Sequence, residues 1–200
     1  ATTASAKNHA LMKQLGADII IDYKTTRFED VVRDLPAQPA FDGSVEPRAI
    51  GATCGGVRVW SVYVPNGRTV DDPHYAYKLE WLAALNAQAG TDLGAGVPLA
   101  ILGDFNVAPE DRDVHDPVAW AGQIHCTPEE RAHFQGLISL GLIDAFRLFE
   151  QPPKSWSWWD YRNLAFRKNQ GLRIDHILVS EALRPQVQAC TIDKTPRRNE

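Results

Sequence analysis

Hydrophobic and polar residues change their spacing several times along this chain, and each change predicts an element. Val57–Val64 (VRVWSVYV) is apolar on both faces apart from Arg58 and Ser61, which predicts a strand inside a sheet. Pro65-Asn66-Gly67 ends it with turn chemistry. Asp72 and Pro73 read as the cap and first residue of a helix whose buried side carries Leu79, Leu82, Ala83 and Leu85. Gly94–Gly96 breaks the chain before a second strand, Val97–Leu102, which runs directly into Gly103-Asp104-Phe105-Asn106. A loop rich in Asp and Pro covers Pro109–Pro117. Thr127-Pro128-Glu129-Glu130 is a capping box with proline at the first helical position. Phe134, Leu137, Ile138 and Leu140 continue that helix, and Gly141 closes it. Leu142–Leu148 and Ile174–Val179 read as strands, and Trp156–Tyr161 is a dense aromatic segment.

Residues 1–40 are patterned differently. Ala10–Gly16 reads as a helix closed by glycine, Ala17–Asp22 as a buried strand, and Thr25–Leu35 as a helix with Phe28, Val31, Val32 and Leu35 on one side. Pro36, Pro39 and Gly43 follow as a breaker-rich junction, at about residues 41–48.

Composition narrows the classes. The formal charge of −4 argues against a binder held to nucleic acid by charge alone, yet suits an enzyme that holds phosphate through a cation. Cys54, Cys126 and Cys190 are odd in number and far apart, so no disulfide framework or zinc site is expected and a cytoplasmic setting is. The apolar runs are too short to span a bilayer, and the polar start Ala1–His9 leaves no targeting segment to expect, so no membrane partner is foreseen.

Four places can carry chemistry. At Gly103-Asp104-Phe105-Asn106, a carboxylate and a carboxamide two residues apart leave a strand end on the same side. They could hold a hard cation, position a water or donate to a phosphate oxygen, or they could serve only the turn. Tyr63 and Asn66 could hydrogen-bond to a phosphate, or could be a half-buried aromatic beside an ordinary turn. Asp175 sits in apolar surroundings that demand a partner: a histidine that it orients, or a salt bridge to Arg173. His176 points to the opposite side of that strand and is not a candidate. The Trp156, Trp158, Trp159 and Tyr161 cluster suits either core packing or a stacking surface for nucleotides.

The order of the pieces carries more than any one of them. Tyr-Val-Pro-Asn-Gly, Gly-Asp-Phe-Asn-Val-Ala-Pro, Leu-Ile-Asp-Ala-Phe-Arg, Trp-Ser-Trp-Trp-Asp-Tyr-Arg and Gly-Leu-Arg-Ile-Asp-His follow one another in sequence. This set resembles the exonuclease III branch of the endonuclease/exonuclease/phosphatase superfamily, which includes the abasic-site endonucleases, over residues 49–200. The resemblance implies an α/β fold, a four-layer sandwich of two mixed sheets flanked by helices, here incomplete and with an α/β N-terminal appendage. It implies that Tyr63 contacts the scissile phosphate, that Asp104 activates water or ligates metal, and that Asn106 supports metal or transition-state oxygens. It implies that Asn66 contacts the phosphate, that Asp175 orients a histidine, and that Asp144 matches a motif position of less clear role. Trp158, Trp159, Leu172 and Ile174 would lie near the pocket for a flipped-out abasic sugar. Mg2+, or Mn2+ in its place, would be the cofactor, and double-stranded DNA with abasic sites or 3′ ends the partner of a monomer.

Residues 1–40 resemble instead a piece of a zinc-free quinone oxidoreductase of the medium-chain dehydrogenases. The matching run goes from Ala-Thr-Thr-Ala-Ser-Ala-Lys-Asn-His through Ile-Asp-Tyr-Lys to Arg-Phe-Glu-Asp-Val-Val. The glycine-rich phosphate turn of a dinucleotide site is missing from it, so no such site is expected. The family's early asparagine, early metal-binding glutamate and late Ser-Asp-His motif find no match here. The expectation is therefore weak or no activity for this chain as it stands. Two rivals remain: a phosphatase of the same superfamily, and a disabled fusion fragment that at most binds DNA.

Overall fold

The structure is a computed structural model that describes residues 48–195, the strands Thr2–Ala4 and Ile20–Asp22, and the helical residues Ala10 and Lys13. The chain divides into two units, Ala1–Pro39 and Ala40–Glu200. In the first, β1 (Thr2–Ala4) pairs in parallel with β2 (Ile20–Asp22), Thr2 opposite Ile20. β2 is the end of the strand expected at Ala17–Asp22, whereas β1 is too short to show a period in the sequence. The rest of the helix expected at Ala10–Gly16 and all of that expected at Thr25–Leu35 lie outside the described residues.

In the second unit, β3 (Ala49–Cys54) and β4 (Val57–Tyr63) form an antiparallel pair. Helix α1 (Pro73–Gly94) then crosses over to β5 (Leu99–Asp104), which runs parallel to β4. After the short α2 (Pro117–Trp120) and the longer α3 (Pro128–Ser139) come β6 (Leu142–Asp144), β7 (Trp158–Trp159), β8 (Gly171–Leu172) and β9 (Asp175–Ser180). The main sheet is mixed, in the order β3-β4-β5-β9-β6, with β9 antiparallel to both neighbours. β7 and β8 make a separate two-stranded sheet. This is the α/β class expected: a five-stranded mixed sheet and a small sheet, with helices beside them.

Local chemistry explains the helices. The Asp72 carboxylate accepts the His74 amide at 2.9 Å at the start of α1, and Pro73 occupies the first turn. The capping box of α3 is complete, with Thr127 and Glu130 each bonded to the other's backbone N–H. Both helices pack on one face of the sheet. Trp60, Val62, Leu99, Ile101 and Leu178 from the strands meet Trp81, Leu82, Leu85, Phe134 and Leu137 from the helices in a single core. Each large side chain so buried contributes roughly 1.5–3 kcal/mol relative to leaving it in water.

One expectation holds with a qualification and one is corrected. β4 lies inside the sheet, between β3 and β5, with Trp60 and Val62 buried on one face while Ser61 and Tyr63 on the other are exposed. The strand expected over Leu142–Leu148 stops at Asp144, and Ala145–Leu148 is a 3-10 turn. The cause is the Asp144 carboxylate, which accepts the Phe146 amide at 3.1 Å and turns the chain. No helix among the described residues is long and apolar enough to cross a membrane.

Candidate active site

Strand register assembles what the sequence leaves scattered. Tyr63 on β4 lies opposite Asp104 on β5, and Asp104 lies opposite Asp175 on β9. The three form one row across the sheet, on the face turned away from the helices, because their neighbours Val62 and His176 are buried on the other side. Tyr63 is 53% exposed, and the Arg48 guanidinium lies 5.2 Å from the centre of its ring.

The turn after β5 shows why Gly103, Asp104 and Asn106 are the residue types they are. Gly103 has φ +138°, and a Cβ there would lie 2.0 Å from the Val62 carbonyl oxygen, so only glycine fits. Asn106 has φ +50°, a region asparagine tolerates better than most residues. The Asp104 carboxylate accepts the Asn106 backbone N–H at 2.8 Å and its side-chain Nδ2 at 3.2 Å. The same Nδ2 donates to the Val64 carbonyl at 2.9 Å, and Asn66 Nδ2 donates to Asn106 Oδ1 at 3.2 Å. Asn106 thus ties together the ends of β4 and β5, and Asn66 is joined to the row through it. The turn has a backbone function and also sets Asp104 beside Tyr63 and Asp175.

Burial pushes the Asp104 carboxyl up to about 6. The hydrogen bond from the Asn106 amide opposes this, the neighbouring Asp175 charge reinforces it, and Lys78 offsets part of it. A carboxylate that titrates near neutrality is suited to exchange a proton with water. Asp104 and Asp175 also offer the oxygen donors that a hard cation takes. No cluster of three or more His, Cys, Asp or Glu that could hold a metal ion occurs among the described residues.

Beneath the turn lies a network that sequence reading missed. Lys78 is fully buried, and its ammonium donates to the Asn66 carbonyl at 3.2 Å, to the Asn106 carbonyl at 2.7 Å, and to Glu130. Glu130 also accepts the amides of His125 and Thr127. His125 Nδ1 sits 2.7 Å from the Asn106 carbonyl. An acceptor there requires the proton on Nδ1, and burial, followed by the Lys78 charge, lowers His125 to about 4 and so keeps it neutral. A signal was present: Lys78 falls on the stripe shared with Leu82 and Leu85, and Glu130 on the stripe shared with Phe134 and Leu137. A charge on the buried stripe of each of two helices announces a partner.

The remaining candidates are distributed unevenly. Asp175 is exposed, not enclosed in apolar surroundings as expected, because its side chain leaves the strand on the open face. The salt bridge considered between Asp175 and Arg173 gives way to others. Arg173 is buried and donates to Asp113 at 2.6 Å and to Asp144 at 2.8 Å, and it lies 2.9 Å from His176 Nδ1. Asp144 thereby gains a clear structural part. His176 faces the core, its Nε2 2.8 Å from the Val107 carbonyl, and burial followed by the Arg173 charge holds it well below its ordinary pKa. Leu172 and Ile174 are buried in a cluster with Ala108, Val114 and Cys126, against which Trp120 and Trp158 pack. Trp159 belongs to another cluster, with Trp156 and Ala165. Of these four, only Trp158 keeps partial exposure.

Residues 22–197 match the family described as Endonuclease/Exonuclease/phosphatase family, a match that begins ahead of Ala49. An exodeoxyribonuclease of Bacillus subtilis (strain 168) is 32% identical over 148 residues, which cover 74% of this chain and 58% of that protein. The chain therefore spans little more than half the length of this curated relative. Among solved structures, the 3′-5′ exonuclease NExo from Neisseria meningitidis is 41% identical, with a TM-score of 0.76 over 81% of this chain and 63% of that one. A 3′ phosphatase NExo from Neisseria, bound to a product DNA hairpin, is 31% identical, with a TM-score of 0.72 over 92% of this chain and 87% of that one.

Proposed function

The chain belongs to the endonuclease/exonuclease/phosphatase family, and from that premise we propose that it carries the site of a DNA phosphodiesterase that hydrolyses bonds at abasic sites and 3′ ends. The observation that carries this reading is the row Tyr63–Asp104–Asp175, joined by Asn106 and Asn66 at the end of β4 and β5. Two similar proteins whose names point to DNA, an exodeoxyribonuclease and the NExo 3′ phosphatase bound to a product DNA hairpin, support the substrate class.

In the proposed reaction the Asp104 carboxylate takes the proton of the attacking water, for which its position near neutrality is suited. Tyr63, exposed beside it, donates its phenol to a phosphate oxygen, and Asn66 contacts the phosphate from the neighbouring turn. Asn106 keeps Asp104 oriented through two hydrogen bonds, its side-chain donors being shared between Asp104 and the Val64 carbonyl. The motif that would supply a histidine for Asp175 finds no match in this sequence, so Asp175 enters this reading only as the carboxylate beside Asp104 on the open face, and Trp158 flanks the abasic sugar with Leu172 and Ile174 behind it.

Mg2+ is the cofactor of this reading. Asp104 and the Asn106 side-chain oxygen would hold it. A donor set of few protein oxygens suits an ion that keeps water and phosphate as its other ligands. When bound it supplies charge neutralisation for the phosphoryl and leaving oxygens.

A second reading is removal of a terminal 3′-phosphate, favoured by the similarity to the Neisseria 3′ phosphatase. One assay separates the two: a duplex with a single abasic analogue and a duplex ending in 3′-phosphate, each with Mg2+ or chelator, with Asp104→Ala as control. Magnesium-dependent nicking of the first, reduced at least about 100-fold in Asp104→Ala, supports the phosphodiesterase. Release of phosphate from the second alone supports the phosphatase. Activity equal in Asp104→Ala overturns both.

A further inference from the structure

Lys78 makes an unusual set of bonds for a lysine. Its ammonium has three N–H donors and no acceptor, and each donor meets one acceptor: the Asn66 carbonyl, the Asn106 carbonyl and Glu130. Two of the three are main-chain groups, 40 residues apart, and both belong to the turns that end β4 and β5. The side chain has no exposed surface and neither does that of Glu130. Glu130 in turn is satisfied by the amides of His125 and Thr127 and by the Thr127 hydroxyl. The lysine stem also requires its surroundings to be shaped for it. Gly67 has φ +85°, and a Cβ there would come within 3.0 Å of Lys78 Cδ and 2.8 Å of Ile124 Cδ1. Asn106, at φ +50°, is held in its left-handed conformation with its carbonyl turned to both Lys78 and His125.

We infer that Lys78 is a positioning residue for the site: by donating to the carbonyls of Asn66 and Asn106 while held on the buried Glu130 carboxylate, it fixes the two turns that follow Tyr63 and Asp104 and carry Asn66 and Asn106. This rests on the proposed phosphodiesterase reading for its effect on rate, but not for its effect on the turns. A buried ammonium must satisfy three donors whatever its role, and a purely structural lysine could spend them on any side chains within reach. The two carbonyl bonds act instead on the paths of the two loops, and a displacement of about 1 Å at reacting groups can cost on the order of 100-fold in rate.

The test uses the full chain and three variants: Lys78→Met, Lys78→Met/Glu130→Leu, and Glu130→Gln. Melting temperature, steady-state kinetics on the abasic duplex with Mg2+, and amide hydrogen exchange over residues 64–68 and 104–107 are measured for each. Replacing a buried ion pair by apolar side chains is often neutral for stability, so the double variant is expected to regain most of the melting temperature lost in Lys78→Met. It is nevertheless expected to lose kcat by on the order of 100-fold with KM changed far less, and to exchange faster at both turns than the native chain. Glu130→Gln, which keeps the lysine and an acceptor for it, is expected to lose stability but to retain most of kcat and the protection at both turns. The inference is overturned if the double variant has native kcat and native exchange at the turns, or if Glu130→Gln and Lys78→Met loosen the turns equally. A native chain that does not cut DNA would count against the phosphodiesterase reading, and exchange at the two turns would still decide the role of Lys78.

Discussion

Lys78 and Arg173 are both cations with almost no exposed surface, 0% and 1%, yet they are wired differently. Lys78 spends two of its three donors on backbone carbonyls and has one charged partner. Arg173 donates to two carboxylates, Asp113 and Asp144, and contacts the imidazole of His176, all of them outside the row of Tyr63, Asp104 and Asp175. The difference teaches how a buried charge can serve a fold or a site. Bonds to side chains join elements distant in sequence, here the loop at Asp113, the end of β6 and the start of β9. Bonds to carbonyls set the path of the main chain, and with it the aim of the side chains that the path carries.

Four measurements would break or sharpen that contrast, beginning with the largest expected effect. Arg173→Met leaves the buried Asp144 without its cation, while Asp113 keeps Arg147, and is expected to cost about 3 kcal/mol in denaturant unfolding. A cost below about 1 kcal/mol would mean the cluster is not the brace described. Next is Asp104→Asn, read in chelator as a function of pH. The Asp104 carboxyl titrates at about 6 in the folded chain against an ordinary 3.8, so the folded state holds its proton more tightly. Folding stability from this group falls as pH rises from about 4 to about 6 and stays reduced above. Asp104→Asn is therefore expected to be more stable than the native chain at pH 8, by on the order of 1–2 kcal/mol after allowance for partial exposure, and no more stable near pH 4. A gain that is the same at both pH values would reject the assignment.

Thr127→Ala should cost about 1 kcal/mol through the lost helix cap. It removes the hydroxyl that bonds both Glu130 and Tyr75, and urea unfolding of the variant beside Tyr75→Phe would show how much of the loss is the cap. The smallest effect on stability is expected at Tyr63→Phe. Its ring is half exposed, so unfolding should shift by no more than about 0.5 kcal/mol, while the proposed nuclease rate falls at least about 10-fold. Equal loss of stability and rate would make Tyr63 part of the fold and not of the site.

Much of this was legible in the sequence, for identifiable reasons. The caps at Asp72 and Thr127, the strand at Val57–Tyr63 and a strand before Asn106 depend on chemistry within a few residues, and local sequence contains it; that second strand, expected at Val97–Leu102, runs two residues later, Leu99–Asp104, so that it carries Gly103 and Asp104. The motif order that assigns the chain to its family is likewise linear information. The period of a strand also told that Asp175 and His176 part company, as they do.

Tertiary structure alone decided which of those pieces meet. No spacing rule says that Tyr63, Asp104 and Asp175 share one row, because register between strands is set by packing across the whole sheet. None pairs Lys78 with Glu130 over 52 residues, or Arg173 with Asp113 over 60. None distinguishes Trp158, half buried, from Leu172 and Ile174, sealed behind it. The sequence determined by itself the helix caps, most of the elements, the family and the residue types offered to the candidate site. Which charges are buried, which carbonyls they hold and which side chains reach solvent were left to the packing of helices on the sheet, since burial belongs to the assembled chain and not to any segment of it.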